Sequence, residues 1–347
     1  MHFISSSNAI QSPRISSPQN LSIMDLSEDN PKGLQVTEEV KESPSDPSPS
    51  TPTLENRYSL LACVGKGSYG TVFRALDRLT GSKVAFKRVE KKNLCPFSTQ
   101  FVKREVAIHS FFQKAPHPNI VKLLNHNETQ NSHWFSFEYI ECDLHHKITY
   151  FGKHIASKVD LIKDYMRQLL SGLVHVHKHG IIHRDLKPGN LLISDEGVLK
   201  IADFGSAACV GPSGMEKTHK LESEVCTMWY RAPELIMGGD EYNSGMDMWS
   251  VGCIFGELLS ATPLFPGATV PDQMLKIFKQ LGTPQIKHWP GVSGLPAAQF
   301  ELPLTHRKVW NIEAPRQAID LLNRFLQYNP KMRISAADAL KHDFFKT

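Results

Sequence analysis

Apolar residues change their spacing along this chain, and the changes predict its elements. Tyr58-Ser59-Leu60-Leu61-Ala62-Cys63-Val64, Val72-Phe73-Arg74-Ala75 and Val84-Ala85-Phe86-Lys87 are short bounded runs that read as strands, as does His133-Trp134-Phe135-Ser136-Phe137-Glu138-Tyr139-Ile140. Between 100 and 112 the spacing becomes helical, with Phe101, Val102, Ile108 and Phe112 facing inward. Leu161, Tyr165, Leu169 and Leu173 recur every four residues ahead of Gly180, which predicts a long helix with one buried face and a glycine stop. Leu191-Leu192-Ile193 and Val198-Leu199-Lys200-Ile201, with Asp195-Glu196-Gly197 between them, read as a hairpin. Residues 246–260 are apolar nearly all round, so that helix should be buried. Residues 1–56 follow no period; rich in Ser, Pro and Glu and poor in aromatics, they are expected to form a disordered tail.

Composition narrows the setting. The 347 residues, 41% hydrophobic and 21% charged, suffice for about two domains of ordinary size. Cys63, Cys95, Cys142, Cys209, Cys226 and Cys253 form no CxxC pair or metal spacing, so reduced thiols and an intracellular site, nucleus or cytoplasm, are expected. No apolar stretch approaches the ~20 residues of a membrane span, and the start lacks the basic flank and apolar core of a signal peptide, so no membrane partner is expected. The formal charge of +4 divides into −5 for residues 1–56 and +9 for the rest. That excess suits an anionic nucleotide and an acidic or phosphorylated partner; no basic run or aromatic pattern argues for nucleic acid. Ser12, Ser17, Ser43, Ser48 and Thr51 each precede a proline, which is either a set of phosphorylation sites or the ordinary composition of such a segment.

The chemistry is concentrated in a few motifs. Val64-Gly65-Lys66-Gly67-Ser68-Tyr69-Gly70-Thr71-Val72 places three glycines between two strands, where backbone amides can approach phosphates without a Cβ in the way. A dinucleotide site would need a helix after the glycines, and the alternation after Val72 fits a strand. His183-Arg184-Asp185-Leu186-Lys187-Pro188-Gly189-Asn190 precedes the predicted hairpin and Asp203-Phe204-Gly205 follows it, which brings Asn190 and Asp203 to one end of two paired strands.

In order and spacing these motifs resemble the eukaryotic protein kinases, for which such motifs are a general template. The resemblance implies an α+β bilobal fold, with a small antiparallel β lobe at 57–139 and a helical lobe at 140–347. It implies transfer of the γ-phosphoryl group of ATP with Mg2+. Asp185 is then the base for the substrate hydroxyl, Lys187 neutralises charge on the transferred group, and Asn190 and Asp203 are the metal ligands. Ala85, Lys87 and the residues 64–72 belong to the nucleotide site, with Glu105 the ion-pair partner of Lys87. Phe137 guards the adenine pocket, the main chain at Glu138 and Ile140 bonds the adenine edge, and Asp143 meets the ribose. Cys142 beside it is read either as a small apolar filler or as a nucleophile at the pocket mouth. Asp247 holds the catalytic-loop backbone, and Arg333 pairs with Glu234 of Ala232-Pro233-Glu234.

Trp229-Tyr230-Arg231-Ala232-Pro233-Glu234, Leu264-Phe265-Pro266-Gly267 and Leu281-Gly282-Thr283-Pro284 are similar to the group of cyclin-dependent, mitogen-activated and glycogen-synthase kinases. The catalytic half most resembles cyclin-dependent kinases, with the cell-cycle-related branch the nearest likeness, while Asp203-Phe204-Gly205-Ser206-Ala207 is closer to glycogen-synthase kinases. By that likeness Arg231 shapes a pocket for proline after the phosphoacceptor, Thr227 braces Asp185 and Lys187, and substrates are proteins with Ser-Pro or Thr-Pro sites. Thr99-Gln100-Phe101-Val102-Lys103-Arg104-Glu105 departs from the helix that docks a cyclin, so whether a cyclin or another activator binds stays open. Glu222 occupies the place of the activating threonine and Glu224 that of the second, tyrosine site. Of the three arginines that hold the phosphate, two match Arg104 and Arg184, and Ala208 replaces the third. Two readings follow: Glu222 orders the segment without phosphorylation, or it is a solvated acid and Ser223 or Thr218 is modified. Ser68 and Tyr69 match inhibitory sites, with Tyr69 equally a packing residue. A pseudokinase scaffold is the alternative function; such proteins usually lose the counterparts of Lys87, Asp185 or Asp203, and this chain keeps all three.

Overall fold

The computed structural model describes residues 57–67, 70–94, 96–210, 216–217, 228–239, 241–299 and 303–346. Five strands come first: β1 (Tyr58–Gly67), β2 (Gly70–Asp77), β3 (Lys83–Glu90), β4 (Leu123–Glu128) and β5 (Ser132–Glu138). They form one antiparallel sheet in the order β1-β2-β3-β5-β4. Alternation assigns its two faces. Tyr58, Ala75, Val84 and Phe86 pack on one, and Val89, Leu123 and Phe135 on the other. Among the described residues β1 is an outer strand paired with β2 alone, and its register slips between Leu60 and Ala62 and again between Cys63 and Gly65. The strand expected over 133–140 ends at Glu138, leaving Tyr139 and Ile140 beyond the sheet.

Helix α1 (Pro96–Lys114) covers the second face. It begins four residues before, and ends two residues after, the span that periodicity predicts. Val102 joins the sheet core, whereas Ile108 and Phe112 join the larger core of the helical region. One helix thus belongs to both.

The helical region follows β6 (Cys142–Asp143), with α2 (Leu144–Ala156) and α3 (Val159–Lys178). α3 buries Tyr165, Leu169 and Leu173 as predicted, with Leu161 half-buried at the core margin, and the chain turns after it at Gly180, φ +66°. β7 (Ile181–Ile182) leads into a loop, and β8 (Leu191–Ile193) pairs antiparallel with β9 (Leu199–Ile201) in the predicted hairpin. Gly197 in its turn has φ +80°, a left-handed conformation that costs other residues more. β10 (Ala208–Cys209) returns to pair with β7, which buries Ala208.

After the short helix α4 (Pro233–Ile236), α5 (Gly245–Ser260) is buried at every residue except Ser260. A helix apolar all round has to be central, and this one packs against α2, α3 and α7 (Arg316–Phe325), with α6 (Val270–Leu281) completing the region. An antiparallel sheet followed by a helical region is the bilobal α+β arrangement. Arg333 donates to both Glu234 carboxylate oxygens at 2.6 Å and also to the carbonyls of Gly245, Gln327 and Tyr328. No helix among the described residues is long and apolar enough to cross a membrane.

Candidate active site

The hairpin sets the site. Asn190 stands immediately before β8 and Asp203 two residues after β9, so antiparallel pairing brings them to the same end, where the Ala202 amide donates to the Asn190 carbonyl at 2.9 Å. Asp203 and Arg184 both adopt left-handed backbone, φ 62° and 68°, a strain of about 1–3 kcal/mol each that surrounding contacts must hold.

Asp247 on α5 does so for Arg184. Its buried carboxylate accepts the amides of His183 and Arg184, both at 2.9 Å, and meets His177 Nε2 at 2.8 Å. Burial alone would raise this carboxyl; the His177 hydrogen bond and charge, with the His183 amide, overcome it and hold the group below its usual range. The Asp185 amide donates to His183 Nδ1, so His183 Nε2 carries the hydrogen and donates to the Ala202 carbonyl at 3.0 Å.

The Asp185 side chain is placed by two neighbours. Lys187 Nζ lies 2.7 Å and Asn190 Nδ2 3.2 Å from Oδ2, and the same amide group donates to the Asp185 carbonyl at 2.7 Å. Across the cleft, β3 presents Lys87, whose Nζ meets Glu105 Oε1 of α1 at 2.7 Å and Asp203 Oδ1 at 3.4 Å. Burial disfavours the ammonium, but the two carboxylates hold it charged, well above its ordinary range. The charge of Lys87 in turn keeps Asp203 ionised, below the usual carboxylate range.

These groups close one end of a cleft of about 520 Å³. Gly65, Lys66, Gly70, Val72 and Ala85 line its sheet side, and Phe137 and Glu138 its inner edge. At Gly70 a Cβ would stand 2.3 Å from the Arg88 carbonyl, so no side chain fits there. Val121, Leu192 and Ala202 also line the cleft, as do Gly189, Gly205 and Ser206, none of which sequence reasoning assigned to it. Leu192 had a signal: between buried Leu191 and Ile193, alternation turns it to the other face. Gly67 pairs with Gly70 at the end of the β1–β2 hairpin, and Thr71 pairs with Lys66 and Arg88.

Val64 is exposed, and Val64, Thr71, Ile140 and Asp143 do not line the cleft. Asp143 caps α2, its carboxylate accepting the His146 amide at 2.7 Å. Glu138 uses its side chain on the Lys122 amide and Lys200. Burial pushes the Cys142 thiol up, which disfavours the thiolate a nucleophile needs. Arg184 Nε donates to the Ser206 carbonyl at 2.6 Å and Arg104 to the Ala207 carbonyl at 3.3 Å, so the two guanidinium groups converge just past Phe204. Arg231 is half-buried after the turn Met228–Tyr230. Ser68, Tyr69, Thr218, Glu222, Ser223, Glu224 and Thr227 lie outside the described residues, as does the tail to residue 56. A family model described as "Protein kinase domain" matches residues 58–345.

Proposed function

The chain belongs to the protein kinase family, and from that premise we propose that it is a serine/threonine kinase of the cyclin-dependent-kinase-like kind, directed to Ser-Pro and Thr-Pro sites. The observation that carries the catalytic part is the meeting of Lys87, Asp185, Asn190 and Asp203 at one end of a single cleft. Kinases of this family use ATP, usually with magnesium. The cleft's chemistry fits that pair: apolar Val72, Ala85, Val121 and Leu192 offer walls for a flat base, and the far end offers an ammonium and carboxylate and amide oxygens. Asn190 and Asp203 would hold the metal, since magnesium takes few protein oxygens and keeps the rest of its shell for phosphate and water. When bound, magnesium neutralises phosphate charge.

The chain's own groups supply the rest. Asp185, held by Asn190 and by a backbone that Asp247 fixes, accepts the proton of the incoming hydroxyl. Lys187 beside it faces the negative charge of the group in transit. Lys87 anchors phosphate oxygens and couples them to Glu105, and so to the position of α1.

Specificity for serine and threonine rests on the match at Thr227, and proline direction on the match at Arg231. The convergence of Arg104 and Arg184 offers cations to whichever group orders the following segment, the Glu222 carboxylate without a phosphate or a phosphate on Ser223 or Thr218. A glycogen-synthase-kinase-like identity is the second reading, favoured by Ser206-Ala207 after Gly205.

Radiolabelled phosphate transfer to a Ser-Pro peptide, its Ser-Ala counterpart and a tyrosine peptide tests this directly. Transfer should favour Ser-Pro, and Asp185→Asn should lower it by roughly 10²–10⁴-fold. Equal signal from the variant defeats the catalytic reading, and equal use of Ser-Ala defeats proline direction.

A further inference from the structure

The outer face of α2 carries basic groups and no acid. The 13 residues of this helix include His145, His146, Lys147, Lys153 and His154, and not one aspartate or glutamate. Other helices of the region pair their bases within themselves. α3 sets Lys163 and Arg167 against Asp160 and Asp164, α6 sets Lys276 against Asp272, and α7 sets Arg324 against Asp320. The carboxylates nearest α2 in sequence are engaged elsewhere: Asp143 by the His146 amide, Glu141 by Arg74 and Asp160 by Lys163.

Two large rings stand among those bases. Tyr150 is 68% and Phe151 57% exposed, and the Tyr150 ring lies on that of His146, centroids 4.5 Å apart. At about 100° per residue, Lys153, His146, Tyr150, His154 and Lys147 follow one another around an arc of about 120°, with Tyr150 at its centre and Phe151 beyond its Lys147 end. Leu144, Ile148, Gly152 and Ile155 are buried on the other side of the helix. At Gly152 the packing is close, since a Cβ there would stand 3.1 Å from that of Ala261. The outer face is therefore held in place before anything lands on it, which lowers the cost of binding.

Solvation accounts for lysines on a surface, and a single exposed ring needs no account. Rings set among unpaired bases call for an occupant that is both acidic and partly apolar. Firm binding to nucleic acid takes about 6–10 phosphate contacts, whereas the arc offers four basic side chains, two of them imidazoles. A bilayer surface calls for an outward apolar side, and α2 has turned its aliphatic residues inward.

We propose that the outer face of α2 is a docking site for an acidic segment of a protein partner. An aliphatic or aromatic side chain of that segment lies on Tyr150 and Phe151, and its flanking carboxylates meet Lys147, Lys153, His146 and His154. The net +9 of residues outside 1–56 draws such a segment in from a distance. The inference goes beyond the kinase reading and does not depend on it, since no residue of α2 lines the cleft.

Fluorescence anisotropy of the full chain with a labelled peptide, Glu-Glu-Leu-Phe-Glu-Glu, tests the proposal without ATP. Tyr150→Ala should weaken binding about tenfold or more. Lys147→Gln combined with Lys153→Gln should weaken it about tenfold at low salt, a difference that shrinks as salt is added. Both changes are on the surface, and circular dichroism should show the fold unaltered. No binding by the native protein overturns the inference, as does binding indifferent to either change. Displacement of the peptide by an oligouridylate of equal charge assigns the face to nucleic acid, and a dimer in sedimentation that Tyr150→Ala disperses assigns it to a second copy; each result overturns the proposal. Absence of phosphate transfer would sink the kinase reading and leave the anisotropy result to stand alone.

Discussion

Asp247 shows how much a single carboxylate can hold. It accepts two consecutive amides and thereby fixes Arg184 in left-handed backbone beside Asp185. Asp247→Asn would turn a donor toward one of those amides, and a loss of about 2–3 kcal/mol in chemical denaturation is expected, with a fall in turnover. Because the Asp247 carboxyl is held below its ordinary range, its contribution is present above about pH 4 and lost as pH falls through the depressed value. The asparagine variant should lack that part of the acid limb. Asp185, Asn190, Asp203 and Lys87 were legible because the motifs that hold them resemble those of the kinase family in order and spacing. Val121 and Ala202 were not, since an apolar wall position looks like any core residue until the chain has folded.

At the level of elements, alternation and four-residue spacing located β1, β2, β3, β5, the β8–β9 hairpin, α1, α3 and α5, and they missed β4, α2, α6 and α7 as well as several boundaries. α1 runs back to Pro96, before the periodic stretch, because its first turn has no apolar pattern to reveal it. β5 stops at Glu138, where its pairing with Val84 of β3 ends, although Tyr139 and Ile140 continue the apolar run. Around Phe204, Arg104 reaches from α1 and Arg184 from the loop after β7, while Glu222 lies outside the described residues. If Glu222 orders its segment, Glu222→Gln lowers the turnover of unphosphorylated protein while leaving its fold, followed by circular dichroism, intact. Unchanged turnover would return Ser223 or Thr218 to the regulatory role.

Across the molecule, Arg333 and Glu234 tie α4, the start of α5 and the stretch after α7 into one body. Every polar contact of that guanidinium is internal, and its side chain is fully buried. Arg333→Leu strands the Glu234 carboxylate, and a loss of about 3–5 kcal/mol is expected on denaturation. Replacing Glu234 by Leu in the same protein should restore a large part of it; no recovery would mean that the carbonyl bonds of Arg333 dominate. The fold as a whole was legible through its motifs, because their order implies which sheet and which helices must lie between them. The outer strand β1 carries a different consequence. It exposes Leu60, Leu61 and Val64 along an edge where a second chain's strand could add and begin aggregation. The two register slips interrupt the row of unpaired amides, so the irregularity that shapes the glycine loop also guards the protein against growing into a larger sheet.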